Sequence, residues 1–475
     1  MTKQFPTIKI LLIGVSALLL LRLVSLGLYP LMDTTEARYG EMARIMLETG
    51  NWVTPMFDYA VPFWGKPPMF TWLSAFGFKA MGVNEIGARM PHFLVGIAII
   101  GLVFYFAKIW FQSARAALFS AAVLAFTTSF LIFSGSVMTD TALTFSLTLS
   151  MLSFWQAWHL QGKRWGYLFF IGLALGLLSK GPLTLVLVGI SLFLWVSITR
   201  QWHLLWHRIP WLSGTALMLA VALPWYIMAE LQTPGFLDYF IIGEHFKRFL
   251  VSGWQGDLYG SAHTQPRGMI WLLGLAAFLP WTPILLVQWA RSGWQTVTTQ
   301  PLPKHILAYL VCWLLAPLIL FTMAGNILMS YVMPSLPAAA LLLTYYQIRH
   351  PINRKWYALG LITPSLLIAI VVSLHTYLVD PLSDKALVEI WRQQPKSTAA
   401  DLLYLGRKSF SSQFYSQGKV QSRLKPVSQW LSSQTNSFFI IQPINQKAQL
   451  FSQSNWQCEL KGTNTKRELV FCHPR

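Results

Sequence analysis

Three carboxylates and a few cations stand out in a chain with few charges of either sign. Asp33 and Glu36, in MDTTEARYGEMARIM, follow directly on a long apolar run, and Asp140, in SGSVMTDTALTF, follows another. A carboxylate held at such a place can act as general base on an attacking hydroxyl, or bind a cation. Lys66, in FWGKPPMFTW, precedes a Pro-Pro pair that stiffens the chain and removes two backbone donors. Set among Phe63, Trp64, Phe70 and Trp72, it suits an anionic lipid headgroup, although a lysine that simply snorkels to water reads the same way. The two acids also have a purely structural reading. DTTE has the form of a helix capping box, Asp33 as N-cap and Glu36 reaching back, worth about 1 kcal/mol. Further on, EHFKRF joins Glu244, His245 and Arg248, with His263 in SAHTQP. That spacing does not match HExxH and no cysteine-rich ligand set exists, so a structural zinc centre is not expected.

The elements that must hold these residues are membrane elements. The 475 residues are 54% hydrophobic and 11% charged, with a mean hydropathy of +0.48, too apolar for an ordinary soluble protein. A net charge of +19 would suggest nucleic acid in a soluble domain. Here it fits basic cytoplasmic loops and anionic membrane lipid instead, and no nucleic-acid partner is expected. About eleven runs are long enough to cross a bilayer, near 8–30, 90–110, 115–135, 141–160, 165–180, 182–199, 210–229, 269–290, 305–324, 330–348 and 356–378. The first lacks a cleavage site and reads as an uncleaved transmembrane helix. With the N-terminus in the cytoplasm, the inner loops carry Lys and Arg without Asp or Glu, and the acids collect on the outer face, as the positive-inside rule requires.

An odd number of spans puts residues 379–475 outside. This tail is polar, rich in Gln and Ser, and broken by β-like runs such as SFFIIQPI, so residues 1–378 are expected to form the membrane domain and the tail a small soluble periplasmic α/β domain. Cys458 and Cys472 flank a strand–turn–strand pattern there; a disulfide and two free thiols both remain open, while Cys312 reads as packing. Two long outer loops, 31–89 and 230–268, face the same side. In the first, Ala37, Met42, Ile45 and Met46 at helical spacing and Gly50 as a stop predict an amphipathic helix along the membrane surface.

These stretches resemble the dolichyl-phosphate-mannose protein mannosyltransferase family and its bacterial branch, which includes the lipid A aminoarabinose transferase. The carriers are the acidic-x-Arg-Tyr helix with Gly50-Asn51-Trp52, Lys66-Pro67-Pro68, Arg89-Met90-Pro91, Thr139-Asp140, Lys180-Gly181-Pro182, Glu244-His245 with Arg248-Phe249, and Tyr331 to Pro334. The resemblance implies a GT-C polytopic fold in a bacterial inner membrane. It also implies inverting transfer of a sugar from undecaprenyl phosphate to a lipid A-type, other glycan or protein acceptor at the periplasmic face. By resemblance, Asp33 or Glu36 supplies the base and Asp140 assists or binds a divalent cation. Lys66, Arg38 and Arg248 neutralise the donor phosphate, His245 and Tyr331 orient substrates, and Tyr39 packs beneath the site. Three departures stand out: Thr35 precedes Glu36 where relatives have adjacent acids, Gly65 replaces an acid before Lys-Pro, and GNILMSYVMP lacks a lysine. A transporter would carry its charges at the bilayer midplane on repeated halves, which this sequence does not. A catalytically silent scaffold is the third reading, suggested by the displaced acids.

Overall fold

The computed structural model describes residues 5–160, 163–247, 256, 258–259, 265–292, 302–376, 378, 382–394, 401–424, 430–431, 434–444 and 456–475. Each of the eleven expected spans falls on helix. Helices α1 (Ile8–Ser25), α2 (Thr35–Thr49), α3 (Met69–Met81) and α4 (Glu85–Phe111) open the chain, with a short antiparallel ribbon of β1 (Met56–Asp58) and β2 (Val61–Pro62) between α2 and α3. They are followed by α5 (Ala114–Ala125), α6 (Thr128–Ser134), α7 (Thr139–Leu160), α8 (Lys163–Lys180), α9 (Leu183–Thr199), α10 (Trp202–Arg208) and α11 (Trp211–Gln232). After a π-helical turn at Asp238–Lys247 come α12 (Met269–Ala277), α13 (Thr282–Ser292), α14 (Ile306–Phe321), α15 (Leu336–Arg349) and α16 (Ile362–His375). Among the described residues, four helical stretches are each long and apolar enough to cross a bilayer: α1, α4, α11 and Arg354–His375, the last of which ends in α16. Two expected spans are broken, α5 from α6 by 71° and α12 from α13 by 100°. The chain is a multi-pass membrane protein, and its apolar helix faces are those lipid would cover.

Polar groups inside this body find partners close by. Arg22 of α1 is 1% exposed and donates to the carbonyls of Leu131 and Ile132, to Ser25 Oγ and to Tyr29 Oη, pinning α1 to α6. In α7, Thr144, Ser146 and Thr148 return their hydroxyls to the carbonyl four residues earlier. Gly172 of α8 has no room for a Cβ beside Ser150, which is how α7 and α8 pack so closely.

The C-terminal part is an α/β unit. Helices α17 (Lys385–Arg392) and α18 (Phe410–Ser416) accompany a five-stranded sheet of β3 (Asp401–Leu405), β4 (Gln421–Arg423), β5 (Phe438–Pro443), β6 (Trp456–Thr463) and β7 (Arg467–Pro474). Its order is β4-β3-β5-β7-β6, with β3 parallel to both neighbours and β7 antiparallel to β5 and β6. Alternation sorts the faces. Leu403, Ile440 and Val470 pack with Trp430 and Trp456, while Leu402, Phe439, Ile441 and Leu469 join α17, α18 and the first long loop in one apolar cluster. Cys458 lies opposite Cys472 across β6 and β7, and the two sulfurs are bonded.

Two expectations for the first loop change. Helix α2 exists and ends on Gly50 at φ 70°, a left-handed position that favours glycine. Its apolar face is covered by protein, however: it packs between α3 and α18, and Ala37 through Met46 lie in its buried face, Arg38 half-buried among them. Gly40 makes this possible, because a Cβ there would stand 2.7 Å from Leu31 Cδ1 and 3.6 Å from Phe414. The capping box is not formed either. Thr34 is the N-cap residue and no side chain caps the helix, because both acids are committed to distant partners.

Candidate active site

Glu36 turns inward from the first turn of α2. Its two oxygens accept from Arg89 Nε at 3.0 Å and Nη2 at 2.7 Å, and Oε1 also accepts from the Val137 backbone at 3.2 Å. Arg89, fully buried on α4, donates as well to the carbonyls of Leu26, Tyr29 and Pro30 and lies over the Tyr29 ring. Burial alone would raise the Glu36 carboxyl, but the charge and hydrogen bonds of Arg89 hold it below the ordinary glutamate value. This is a fork-to-fork buried pair that locks α2 to α4. Glu36 borders a small apolar cavity toward Leu367 and Val371 and is not among the residues that line the polar one described next.

Asp33 does line the polar cavity, which has a volume of about 350 Å³. Its Oδ1 accepts from the Ser411 backbone at 3.0 Å, its Oδ2 from the Ser411 hydroxyl, and its own N–H donates to Leu382 O at 2.9 Å. Burial pushes the Asp33 carboxyl up to about 6, against the lowering effect of the Ser411 hydrogen bonds. A group poised there is ionised at neutral pH yet binds a proton readily, the property a general base needs.

Across the cavity stands Asp140, in the first turn of α7. Lys180, at the end of α8, donates to its Oδ1 at 2.7 Å and lies 4.5 Å from the centroid of the Tyr331 ring. Gly181, at φ 71°, follows; a Cβ there would stand 2.5 Å from Phe240, so the π-helical turn can close over Lys180. That turn carries Glu244 and His245. His245 sets Nδ1 at 2.7 Å from Phe240 O and Nε2 at 3.3 Å from Lys180 O, and burial lowers its pKa. It supports the lysine from outside the larger cavity while lining a smaller adjoining one of about 120 Å³.

Lys66 projects into both cavities. It donates to Gly65 O at 2.7 Å and pairs with Glu244 Oε1 at 3.3 Å. Indole donors anchor its loop: Trp64 to Thr233, Trp72 to Trp52 O, and Trp225 of α11 to Val53 O. Arg38 donates to Tyr259 O at 2.8 Å, and its buried Nε has no hydrogen-bond partner among the described residues. Tyr39 is buried against Phe70 and Phe63, in keeping with a packing role. Arg248 and His263 lie outside the described residues.

Sequence reasoning missed three cations in the roof. Arg407, Lys408 and Arg467, all from the C-terminal unit, line the same cavity. Lys408 pairs with Asp58 at 3.0 Å, Arg467 with Asp384 at 2.9 Å, and Arg407 lies over the Phe57 ring. No motif marks them. Lys180 and Glu244 were within quoted motifs, but nothing in the spacing gave them a task. The cavity thus sets Arg38, Lys66, Lys180 and the three roof cations against Asp33, Asp140 and Glu244, a cationic balance suited to a phosphate. A divalent cation fits less well. Among the described residues no three of His, Cys, Asp and Glu converge, Asp140 is occupied by Lys180, and Gly65 brings no carboxylate.

A helical membrane body whose two long loops and C-terminal α/β unit close over a cation-lined cavity defines the class: a GT-C membrane fold. Residues 9–240 match the family model described as dolichyl-phosphate-mannose-protein mannosyltransferase. Two curated relatives bear the name undecaprenyl phosphate-alpha-4-amino-4-deoxy-L-arabinose arabinosyl transferase. The one from Edwardsiella ictaluri is 31% identical over 323 residues, 66% of this chain and 55% of the relative. The one from Pseudomonas fluorescens, numbered 2, is 30% identical over 341 residues, 70% of this chain and 58% of the relative. The chain thus matches a little over half the length of these relatives. The crystal structure of ArnT from Cupriavidus metallidurans bound to undecaprenyl phosphate superposes with a TM-score of 0.76 at 18% identity, covering 98% of both chains, and this establishes the common fold. The same protein in the apo state gives 0.73 at 19% identity, covering 97% of both chains.

Proposed function

We propose that this protein is an inverting glycosyltransferase that moves a sugar from undecaprenyl phosphate to a lipid A-type or other glycan acceptor. The observation that carries the reading is one cavity holding an Asp33 carboxylate poised near neutrality opposite Lys66, Lys180 and Arg38. In the transfer, Asp33 takes the acceptor's hydroxyl proton as its oxygen attacks the anomeric carbon. The bond from that carbon to the phosphate oxygen breaks, and the cations hold the departing polyprenyl phosphate. Lys180, fixed by Asp140, and Lys66, fixed by Glu244, are the donor-phosphate ligands, with Arg38 beside them. Tyr331 keeps Lys180 in line. The names of the curated relatives support a 4-amino-4-deoxy-arabinose donor. The charge segregation of the loops supports a bacterial inner-membrane protein with its N-terminus in the cytoplasm and the cavity and C-terminal unit in the periplasm.

The test is transfer from radiolabelled undecaprenyl-phosphate aminoarabinose to membrane lipid by wild type, Asp33→Asn and Lys66→Ala. Loss of turnover in Asp33→Asn with retained undecaprenyl-phosphate binding supports the reading. Full transfer by Asp33→Asn overturns the assignment of the base, and no transfer by wild type overturns the donor.

A further inference from the structure

Asp33 does not hold its own position; the other end of the chain holds it. Ser411, fully buried in α18, gives Asp33 two hydrogen bonds, one from its backbone N–H to Oδ1 and one from its hydroxyl to Oδ2. The Ser411 hydroxyl is itself fixed, accepting from the Asp384 backbone N–H at 2.9 Å. Asp384, also fully buried, is the keystone of the unit: it accepts from Arg467 Nη1 at 2.9 Å, from the Ser409 hydroxyl, from Tyr404 at 3.3 Å and from Asn464 Nδ2 at 3.2 Å. The Asp33 N–H completes the clamp on Leu382 O. The contacts of Asp33 with Ser411 and Leu382 cross most of the chain, and with those inside the unit they join residues 382–384 and 409–411 to the segment that leads into α2.

We propose that Ser411 is the positioning residue for Asp33, so that the C-terminal α/β unit completes the active site rather than merely covering it. This rests on Asp33 being the base, as argued above. An ionised carboxylate keeps further acceptor sites after receiving two donors, so Asp33 can be held by Ser411 and still meet an acceptor hydroxyl in the cavity. The two donors orient it and oppose the burial that favours its protonated form. The other charges bearing on Asp33 are Asp384 and Arg467 of the same unit, and Arg38, Lys66, Asp140, Lys180, Arg407 and Lys408 around the cavity. Removing the Ser411 hydroxyl deletes none of these charges, although it also takes the acceptor from the Asp384 backbone N–H.

The experiment uses the full chain in detergent with undecaprenyl-phosphate aminoarabinose. It follows kcat/KM against pH and, independently of turnover, the infrared band of the protonated Asp33 carboxyl, assigned by its loss in Asp33→Asn. Ser411→Ala removes one of the two donors to the carboxylate. The acid limb of kcat/KM and the infrared midpoint should both move upward by about one pH unit. Ser411→Thr, which keeps a hydroxyl, should return both toward wild type. A Ser411→Ala infrared midpoint identical to wild type overturns the inference and leaves the base assignment standing. Full transfer by Asp33→Asn overturns the base assignment itself, and with it the positioning role, even where the midpoint has moved. A general loss of rate in Ser411→Ala with neither midpoint moved marks Ser411 as structural only and also overturns the inference.

Discussion

Glu36→Gln separates the two acids that sequence leaves indistinguishable. In the folded protein Glu36 is the counter-ion of Arg89, which is fully buried, and it lies close enough to buried Arg22 to feel its charge. The amide keeps one acceptor oxygen but turns an NH2 toward a guanidinium, and it leaves Arg89 charged with only three carbonyls around it. Breaking a buried pair from one side costs about 3–5 kcal/mol. The Glu36 carboxyl is held below its ordinary value by the fold, so its contribution is complete above the unfolded value and is lost as pH falls through the folded one. The gap in thermal midpoint between wild type and Glu36→Gln should therefore be full at neutral pH and close in acid. Tryptophan fluorescence in detergent, with 22 Trp as reporters, measures it. Transfer per folded molecule should survive in Glu36→Gln and fall by roughly 10²–10⁴-fold in Asp33→Asn. A Glu36→Gln protein with a wild-type midpoint and no turnover would refute the reasoning and return the base to Glu36.

Three further outcomes follow from the same geometry. Burial pushes the Asp33 carboxyl up to about 6, above the ordinary aspartate value, so its ionised form costs stability as pH rises from the unfolded value through the folded one; Asp33→Asn should raise the thermal midpoint above pH 6 while lowering transfer as stated above. Lys66→Ala should weaken undecaprenyl-phosphate binding by roughly 10- to 100-fold, one charge-assisted hydrogen bond, as read by titration, and should lower the thermal midpoint because it removes a partner of Glu244, whose side chain is 5% exposed. Lys180→Ala should likewise lower both affinity and midpoint, because it takes the lysine from Asp140, which is 4% exposed. Cys458→Ser opens a 14-residue separation within the C-terminal hairpin and should cost that unit about 3 kcal/mol, seen as earlier protease cleavage after residue 400.

What the sequence made legible was what depends on composition and local pattern. Hydropathy found helix under each expected span, Gly50 marked the end of α2, and the strand–turn–strand around Cys458 and Cys472 is a hairpin. The breaks within 115–135 and 269–290 were hidden because both sides of each bend are equally apolar. DTTE misled because its local form was satisfied by remote groups, Arg89 at a separation of 53 residues and Ser411 at 378. A capping box is a short-range inference, and a fully buried guanidinium is the stronger claimant for a carboxylate. The roof cations were illegible for a related reason: Arg407, Lys408 and Arg467 lie in a polar segment where basic residues are ordinary, and only tertiary docking brings them over the cavity.

Gly65 carries one more consequence. A side chain there would begin 2.9 Å from Phe63 and 3.0 Å from the Glu244 carboxylate, so an acid at 65 would force the Glu244 carboxylate to shift. An acid beside Lys66 on its own loop would keep the lysine company wherever the second loop went. Here the counter-charge travels on the π-helical turn Asp238–Lys247, which also supports Lys180 through His245. One turn of the second loop therefore meets two cations of the cavity at once, Lys66 through the Glu244 carboxylate and Lys180 through its backbone carbonyl, so a change in that turn reaches both.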